Sequence, residues 1–262
     1  MIGQLRESSR RLLADGTVKV VIAYGERGPV FVTSPDDVER LSWHERCFHN
    51  LTVYLKRKEV RALGKPAIVV KGCDERALVV LEKESQVQRK DIYVIGVPCQ
   101  GLGLPKCKAC LVHNPRFADE VIGEPVEQPA PQFGPPPSTA GIEFWKEELS
   151  RCIKCYACRQ VCPLCYCERC IVDKNRPQVI DSSATLKGNF AWHITRAFHL
   201  AGRCVGCGEC VRACPVGIDL SRLNRALGMA TKQHFNYLPG MDPNADPVIG
   251  CYSLQDKEDF IR

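Results

Sequence analysis

The stretch RCIKCYACRQVCPLCYCERC, residues 151–170, holds seven cysteines in twenty positions. Its first four, Cys152, Cys155, Cys158 and Cys162, are separated by two, two and three residues, and Pro163 follows. The same spacing and the same closing proline recur at Cys204, Cys207, Cys210, Cys214 and Pro215. The last three cysteines of the stretch, Cys165, Cys167 and Cys170, follow a different spacing. The 262-residue chain has 17 cysteines, an odd number, and eleven of them lie between Cys152 and Cys214. Thiolate–metal sites explain such a clustered, odd set better than complete disulfide pairing does.

The repeated run Cys-x2-Cys-x2-Cys-x3-Cys-Pro is the ligand pattern of bacterial ferredoxins that hold two [4Fe–4S] clusters, with the fourth cysteine of each run ligating the other cluster. Three close thiolates wrap one corner of a cubane, and backbone amides in the loop donate to its sulfurs. The proline ends the turn and the fourth thiolate crosses over. One cluster then takes Cys152, Cys155, Cys158 and Cys214, and the other takes Cys204, Cys207, Cys210 and Cys162. A pair of zinc sites is the competing reading, but zinc ribbons rarely place three cysteines at this spacing before Cys-Pro.

The rest of the chain sets bounds on this reading. With 45% hydrophobic and 25% charged residues it is globular in composition, and its length suits two domains. It has no apolar run of the ~20 residues a membrane span needs. The segment MIGQLRESSRRLLADG lacks the apolar centre of a secretory signal and reads as an amphipathic helix, so a soluble cytoplasmic protein is expected. The net charge of +6 is modest, and a basic patch such as LKRKE (55–59) reads as a solvated face. Basic and aromatic residues are not interleaved as in nucleic-acid binders, so no nucleic-acid partner is expected.

Residues 123–141, GEPVEQPAPQFGPPPSTAG, contain six of the 18 prolines and read as a stiff, extended linker. Four segments are expected: an α/β domain over 1–122, a linker over 123–143, a dicluster ferredoxin-like domain over 144–236 and an extended tail over 237–262. In the first segment VKVVIAYG (18–25) and PVFVT (29–33) read as strands, and NLTVYLKRKEVRAL (50–63) as a helix. AIVVKGC (67–73), DERALVVLEKES (74–85) and DIYVIGVPC (91–99) then form a strand–helix–strand unit whose two strands should be parallel. The predicted fold class is an α/β N-terminal domain with a partly parallel sheet, plus a small α+β ferredoxin-like domain with a helical insertion.

That βαβ unit places Cys73 and Cys99 after the carboxyl ends of neighbouring parallel strands, the edge where such sheets carry their sites. Cys107 and Cys110, in LPKCKACLVHNP, follow at once, so four thiolates can converge there. Spacing alone leaves three readings open: an iron–sulfur site, a zinc site, or a Cys-x-x-Cys motif beside two structural thiols. The segment VIGVPCQGLGLPKCKACLVHNPRFADEVIGEP resembles the Pro-Cys-Gln-Gly-Leu, Cys-x-x-Cys and Ala-Asp region of coenzyme F-420 (deazaflavin) hydrogenase/dehydrogenase beta subunits. VKVVIAYG and IVVKGCDERALVVL are similar to the same family, over roughly residues 5–125. The resemblance implies that Cys73, Cys99, Cys107 and Cys110 hold a third [4Fe–4S] cluster. It also implies a domain of that kind fused to the two-cluster ferredoxin unit. The chain departs from the family where those subunits continue into a longer region that helps hold FAD. Here a proline linker and the ferredoxin unit follow, with neither a G-x-G-x-x-G fingerprint nor a P-loop, so FAD is not expected to be a firm resident.

Cys165, Cys167 and Cys170 would repel one another as thiolates, so a cationic group or a cluster is expected to neutralise them. Cys47 and Cys251 are the cysteines left to complete such a fourth site; loop thiols shielding the neighbouring clusters are the alternative. Among the histidines, His193 and His199 in NFAWHITRAFHLAG read as core or surface residues, and His113 as a possible donor near Cys107 and Cys110. Trp145, Trp192 and Phe198 read as core. Residues 163–203, longer than a compact ferredoxin needs, read as a loop and one helix, and SRLNRALGMATKQH (221–234) as another helix.

The expected function is an iron–sulfur electron-transfer subunit of a multi-subunit anaerobic oxidoreductase of hydrogenase, formate dehydrogenase or heterodisulfide reductase type. Its partners would be a flavoprotein or other iron–sulfur subunits. The alternative is an FAD-dependent deazaflavin- or ferredoxin-linked oxidoreductase subunit with its own flavin site.

Overall fold

Strand β1 (Val20–Gly25) is buried at every position, as its unbroken VVIAYG run demands of a strand covered on both faces. The computed structural model describes residues 1–132, 141–174 and 176–248. β1 turns back through Gly25 and Gly28 into β2 (Gly28–Val32), its antiparallel partner at the sheet edge. β3 (Pro66–Val70) pairs with β1, β4 (Tyr93–Gly96) with β3, and β5 (Glu120–Val121) with β4, all in parallel. The order β2-β1-β3-β4-β5 is therefore a mixed sheet with one antiparallel edge. The short fifth strand was not foreseen from sequence.

Helix α1 (Ile2–Ala14) buries Leu5 and Leu12 in the sheet's apolar core, and Arg6 donates to the Leu41 carbonyl at 2.9 Å. The expected helix over 50–63 is broken. Asn50 caps a 3-10 turn over Leu51–Lys56, the chain extends at Arg57, and α2 covers only Lys58–Arg61. The β-branched and aromatic residues Thr52, Val53 and Tyr54 are poor helix formers, and Asn50 holds the tighter turn by accepting from the Thr52 amide at 3.2 Å.

Helix α3 (Gly72–Lys83) positions the sites. Every residue from Asp74 to Leu81 is buried, so the helix is enclosed rather than amphipathic. Leu78 belongs to the sheet's core, whereas Ala77, Val80 and Leu81 pack against Leu164, Leu200 and Val205 of the cysteine-rich part. The C-terminal part consists of α4 (Ile142–Ser150), α5 (Ala157–Gln160), α6 (Leu186–His199), α7 (Glu209–Arg212) and α8 (Leu220–Phe235). Among the described residues it has no strand, so the α+β expectation is corrected there. Loops around the cysteines and the packing of α6 on α4 and α8 take the place of hairpins.

One further expectation changes. Phe198 is 58% exposed, because it sits on the outer face of α6 while Trp192 and Ala197 face inward. At the start of the segment read as a linker, Asn114 pairs with both backbone groups of Val126, and Gln128 accepts from the His113 amide at 2.6 Å. The described start of the tail also lies on the chain's own α3, where the Pro239 carbonyl accepts two hydrogen bonds from Arg76. Residues 133–140 of the linker, and Cys251, lie outside the described residues.

Candidate iron–sulfur sites

The two quartets fold alike. In the first, Lys154 and Tyr156 adopt φ of 55° and 58°; in the second, Gly206 and Gly208 adopt φ of 72° and 74° at the matching positions. Left-handed backbone is uncommon for a residue with a side chain, and here it recurs in step with the cysteine spacing. It turns amides toward sulfur. The Lys154 amide donates to Cys152 Sγ at 3.4 Å, and the Ile218 amide to Cys214 Sγ at 3.3 Å. Amides of Gly206 and Glu209 likewise favour the thiolates of Cys204 and Cys207.

Cys152, Cys155 and Cys158 of the first quartet line one hollow with Cys214 of the second, closed by Trp192 and His193. Cys162, Cys204 and Cys207 pack around Leu164, Leu200 and Val205 against α3. Cys210 stands at the boundary, within electrostatic reach of Cys204, Cys207 and Cys158.

The third set gathers at the carboxyl edge of β3 and β4. Cys73 lies in the first turn of α3, Cys99 follows β4, and Cys107 lies within a 3-10 turn, Pro105–Ala109, that Cys110 caps. Gly101, at φ 108°, brings its Cα so near Cys107 that an added Cβ would meet that residue's Cβ at 3.3 Å. The Leu102 amide donates to Cys107 Sγ at 3.4 Å. Cys73 interacts with Cys110, Cys99 with Cys107, and Cys110 with Cys107, so the four form one connected group.

Cys165, Cys167 and Cys170, expected to begin a fourth site, are not brought together. Cys165 joins Cys162 and Cys204 in the second site, Cys170 packs beside Trp192 and Cys152 near the first, and Cys167 is exposed. The reason is local: Tyr166 and Leu164 anchor the loop's start on α3, while Val172 anchors its end in the other core. Cys47 is buried in the N-terminal core near Cys99 and Lys71.

Burial pushes the Cys73 and Cys207 thiols up to about 12 and Cys158 up to about 11. Left alone these groups stay protonated; a bound metal would deprotonate them outright. The described cysteines are all free thiols. Among the described residues no three Cys, His, Asp or Glu side chains converge on a single-ion position.

Buried cations lie among the sets. Arg76, 6% exposed, donates to the Val205 carbonyl at 3.0 Å and is within electrostatic reach of Cys204 and Cys207 and of Cys73 and Cys110. Arg196, 5% exposed, donates to the Cys158 carbonyl at 3.1 Å. Burial opposes its charge, but Cys165, Cys162, Cys158 and Cys210 raise its pKa. Several buried polar atoms have no protein partner, among them Arg196 Nε, both ring nitrogens of His193, Nδ1 of His113 and Asn189 Oδ1. His193 is pushed down to about 3 by burial, then by Arg196 and Lys154, so its ring is neutral. Unpartnered donors beside gathered thiols fit a group rich in sulfur acceptors. Sequence reasoning passed over Arg76 and Arg196; single buried arginines carry no spacing signal.

Comparison with known proteins agrees with that chemistry. The family model described as a 4Fe-4S dicluster domain matches residues 148–218. The chain carries a 4Fe-4S dicluster domain. The F-420-dependent formate dehydrogenase subunit beta of Methanocaldococcus jannaschii is 33% identical over 109 residues, covering 41% of this chain and 28% of that protein. The F-420-dependent formate dehydrogenase 1 subunit beta of Methanococcus maripaludis is 28% identical over 109 residues, covering 42% of this chain and 27% of that protein. The match thus spans little more than a quarter of each of these curated relatives. No helix among the described residues is long and apolar enough to cross a membrane.

Proposed function

We propose that this chain is an iron–sulfur electron-transfer subunit of a multi-subunit anaerobic oxidoreductase, relaying single electrons between its partners' redox centres. The parent assembly is of hydrogenase, formate dehydrogenase or heterodisulfide reductase type, in keeping with the formate dehydrogenase beta subunits among its relatives. In this reading Cys152, Cys155, Cys158 and Cys214 hold one cluster, and Cys204, Cys207, Cys210 and Cys162 a second. Cys73, Cys99, Cys107 and Cys110 hold a third, within an N-terminal unit ending near residue 122. A bound [4Fe–4S] cluster supplies one-electron redox chemistry, at a potential set by charge, hydrogen bonds and burial.

The observation that carries the reading is that neighbouring sets share a buried cation. Arg76 is within electrostatic reach of Cys73 and Cys110 and of Cys204 and Cys207, and Arg196 of Cys162 and Cys210 and of Cys158. Both hold positive charge where neighbouring anionic sites would otherwise repel. The test is iron, sulfide and zinc analysis of the anaerobically isolated chain, followed by dithionite reduction and electron paramagnetic resonance (EPR). Three cubanes predict about twelve irons; zinc without labile sulfide would sink the proposal.

A second reading has its own observation. An open groove of about 580 Å³ beside the third set is lined by Trp43, His44, Phe48 and the Gly101–Leu104 loop, a size within the range of cofactor sites. It favours an FAD-dependent, deazaflavin- or ferredoxin-linked oxidoreductase subunit. Stoichiometric flavin after gentle isolation would support that reading, and flavin-free brown protein the relay.

A further inference from the structure

Helix α6 is the insertion that lengthens the gap between the quartets, and the face it turns inward is unusual. Asn189, His193 and Arg196 stand at i, i+4 and i+7, the spacing of one helical stripe, and all three are at most 5% exposed. On an ordinary core-facing helix that stripe is hydrocarbon. Here it is polar, and it is incompletely partnered. Asn189 donates to the Cys152 carbonyl at 2.7 Å. His193 lines the hollow of Cys152, Cys155, Cys158 and Cys214, yet neither ring nitrogen has a partner. Arg196 uses Nη2 on the Cys158 carbonyl at 3.1 Å and its guanidinium also reaches the Cys165 thiol, while Nε is buried without a partner.

Buried donors left without acceptors destabilise a fold, and Arg196 Nε and the one N–H of the neutral His193 ring are such donors, so the positions these two face call for an acceptor. The stripe faces cysteine loops on both sides. We propose that α6 is a potential-setting element in which His193 donates an N–H to the cluster at the first site, and Arg196 donates to, and places its charge between, both paired sites. Inorganic sulfide and thiolate sulfurs are the acceptors. Reduction adds negative charge to those sulfurs, so donors and a nearby cation favour the reduced form and raise the potential. Arg196 acts on both centres and His193 on one. The two are positioning residues and not ligands, and the proposal rests on the iron–sulfur reading above.

The test uses the full chain, isolated anaerobically, with iron and sulfide analysis and a redox titration followed by EPR. Arg196→Met is expected to keep its iron and to lower the reduction equilibrium of both paired centres at least about tenfold, about 59 mV for a one-electron couple. His193→Phe is expected to lower one centre only, and His193→Gln, which keeps an N–H, to restore most of the shift. Unchanged potentials in Arg196→Met and His193→Phe at full iron content overturn the inference and leave the relay reading intact. If Arg196→Met does not hold iron, His193→Phe and Arg196→Lys decide in the same way. A parent chain without iron and sulfide overturns both readings.

Discussion

Lys106 donates from Nζ to the carbonyl oxygen of Cys207 at 2.6 Å, joining the Cys107–Cys110 turn to the second quartet. The same ammonium reaches the Phe48 carbonyl at 3.5 Å. Burial opposes its charge, but Cys73 and Cys207, with Asp74 and Glu209, raise its pKa. One lysine therefore ties two cysteine sets that lie about a hundred residues apart in sequence. Lys106→Met removes a charged donor and leaves the Cys207 carbonyl unpaired, a loss of about 2 kcal/mol. In a chain of this size the thermal midpoint should fall by about 4–8 °C. A midpoint equal to the parent's, measured anaerobically, would show that the contact does not hold the seam.

Gly72 opens α3 beside Cys73, and an added Cβ would lie 2.0 Å from the Val112 carbonyl oxygen, two residues past Cys110. Neither backbone can yield without moving one cysteine away from the other. Gly72→Ala should therefore empty the third set alone, lowering iron from about twelve to about eight per chain. Gly3→Ala, which meets nothing within 4 Å, should stay at the parent value. Full iron in Gly72→Ala would take the third cluster away from Cys73 and Cys110.

Cys162 and Cys165 compete for one place. Both pack with Cys204 against α3, and the Cys165 thiol is held protonated first by its hydrogen bond with Cys162 and then by burial. The spacing before Pro163 makes Cys162 the ligand and leaves Cys165 as its thiol neighbour. Cys162→Ser should lose about four irons and Cys165→Ser none. The reverse pattern would exchange their roles.

Much of this was legible because the signals are local. The buried run VVIAYG reads as a strand and is β1, and the predicted helices 74–85 and 221–234 correspond to α3 and α8. The cysteine spacing brings Cys214 to the first quartet's hollow without knowledge of anything between. What could not be read depends on contacts distant in sequence. α3 looks like one more helix of a βαβ unit, and nothing in DERALVVLEK says that its outer side meets Leu164 and Val205. Cys165, Cys167 and Cys170 look like one group in sequence, yet the anchors on either side pull the loop between two cores. A buried arginine looks like a surface arginine until its surroundings are known.

Glu84, at the end of α3, gathers both loops of the second site. It accepts from Arg203 Nε and Nη2, each at 2.8 Å, and from the Tyr166 hydroxyl at 2.7 Å. Arg203 precedes Cys204 and Tyr166 follows Cys165, so one carboxylate fixes both loops of the thiol cradle to the N-terminal sheet's own helix. The pair is largely shielded, with side chains 20% and 11% exposed, and the two-pronged geometry is the strong form of such a bond. Glu84→Ala leaves Arg203 Nε and Nη2 and the Tyr166 phenol without their acceptor, a cost of about 2–3 kcal/mol. Salt should weaken the parent's bond only slightly, because shielded pairs are poorly screened. Limited proteolysis supplies the measurement: Glu84→Ala should be cut faster between the N-terminal unit and the quartets, and should release iron from the second site first. Equal cutting rates in parent and variant would mean that apolar packing of Ala77, Val80 and Leu81 holds the seam without this carboxylate.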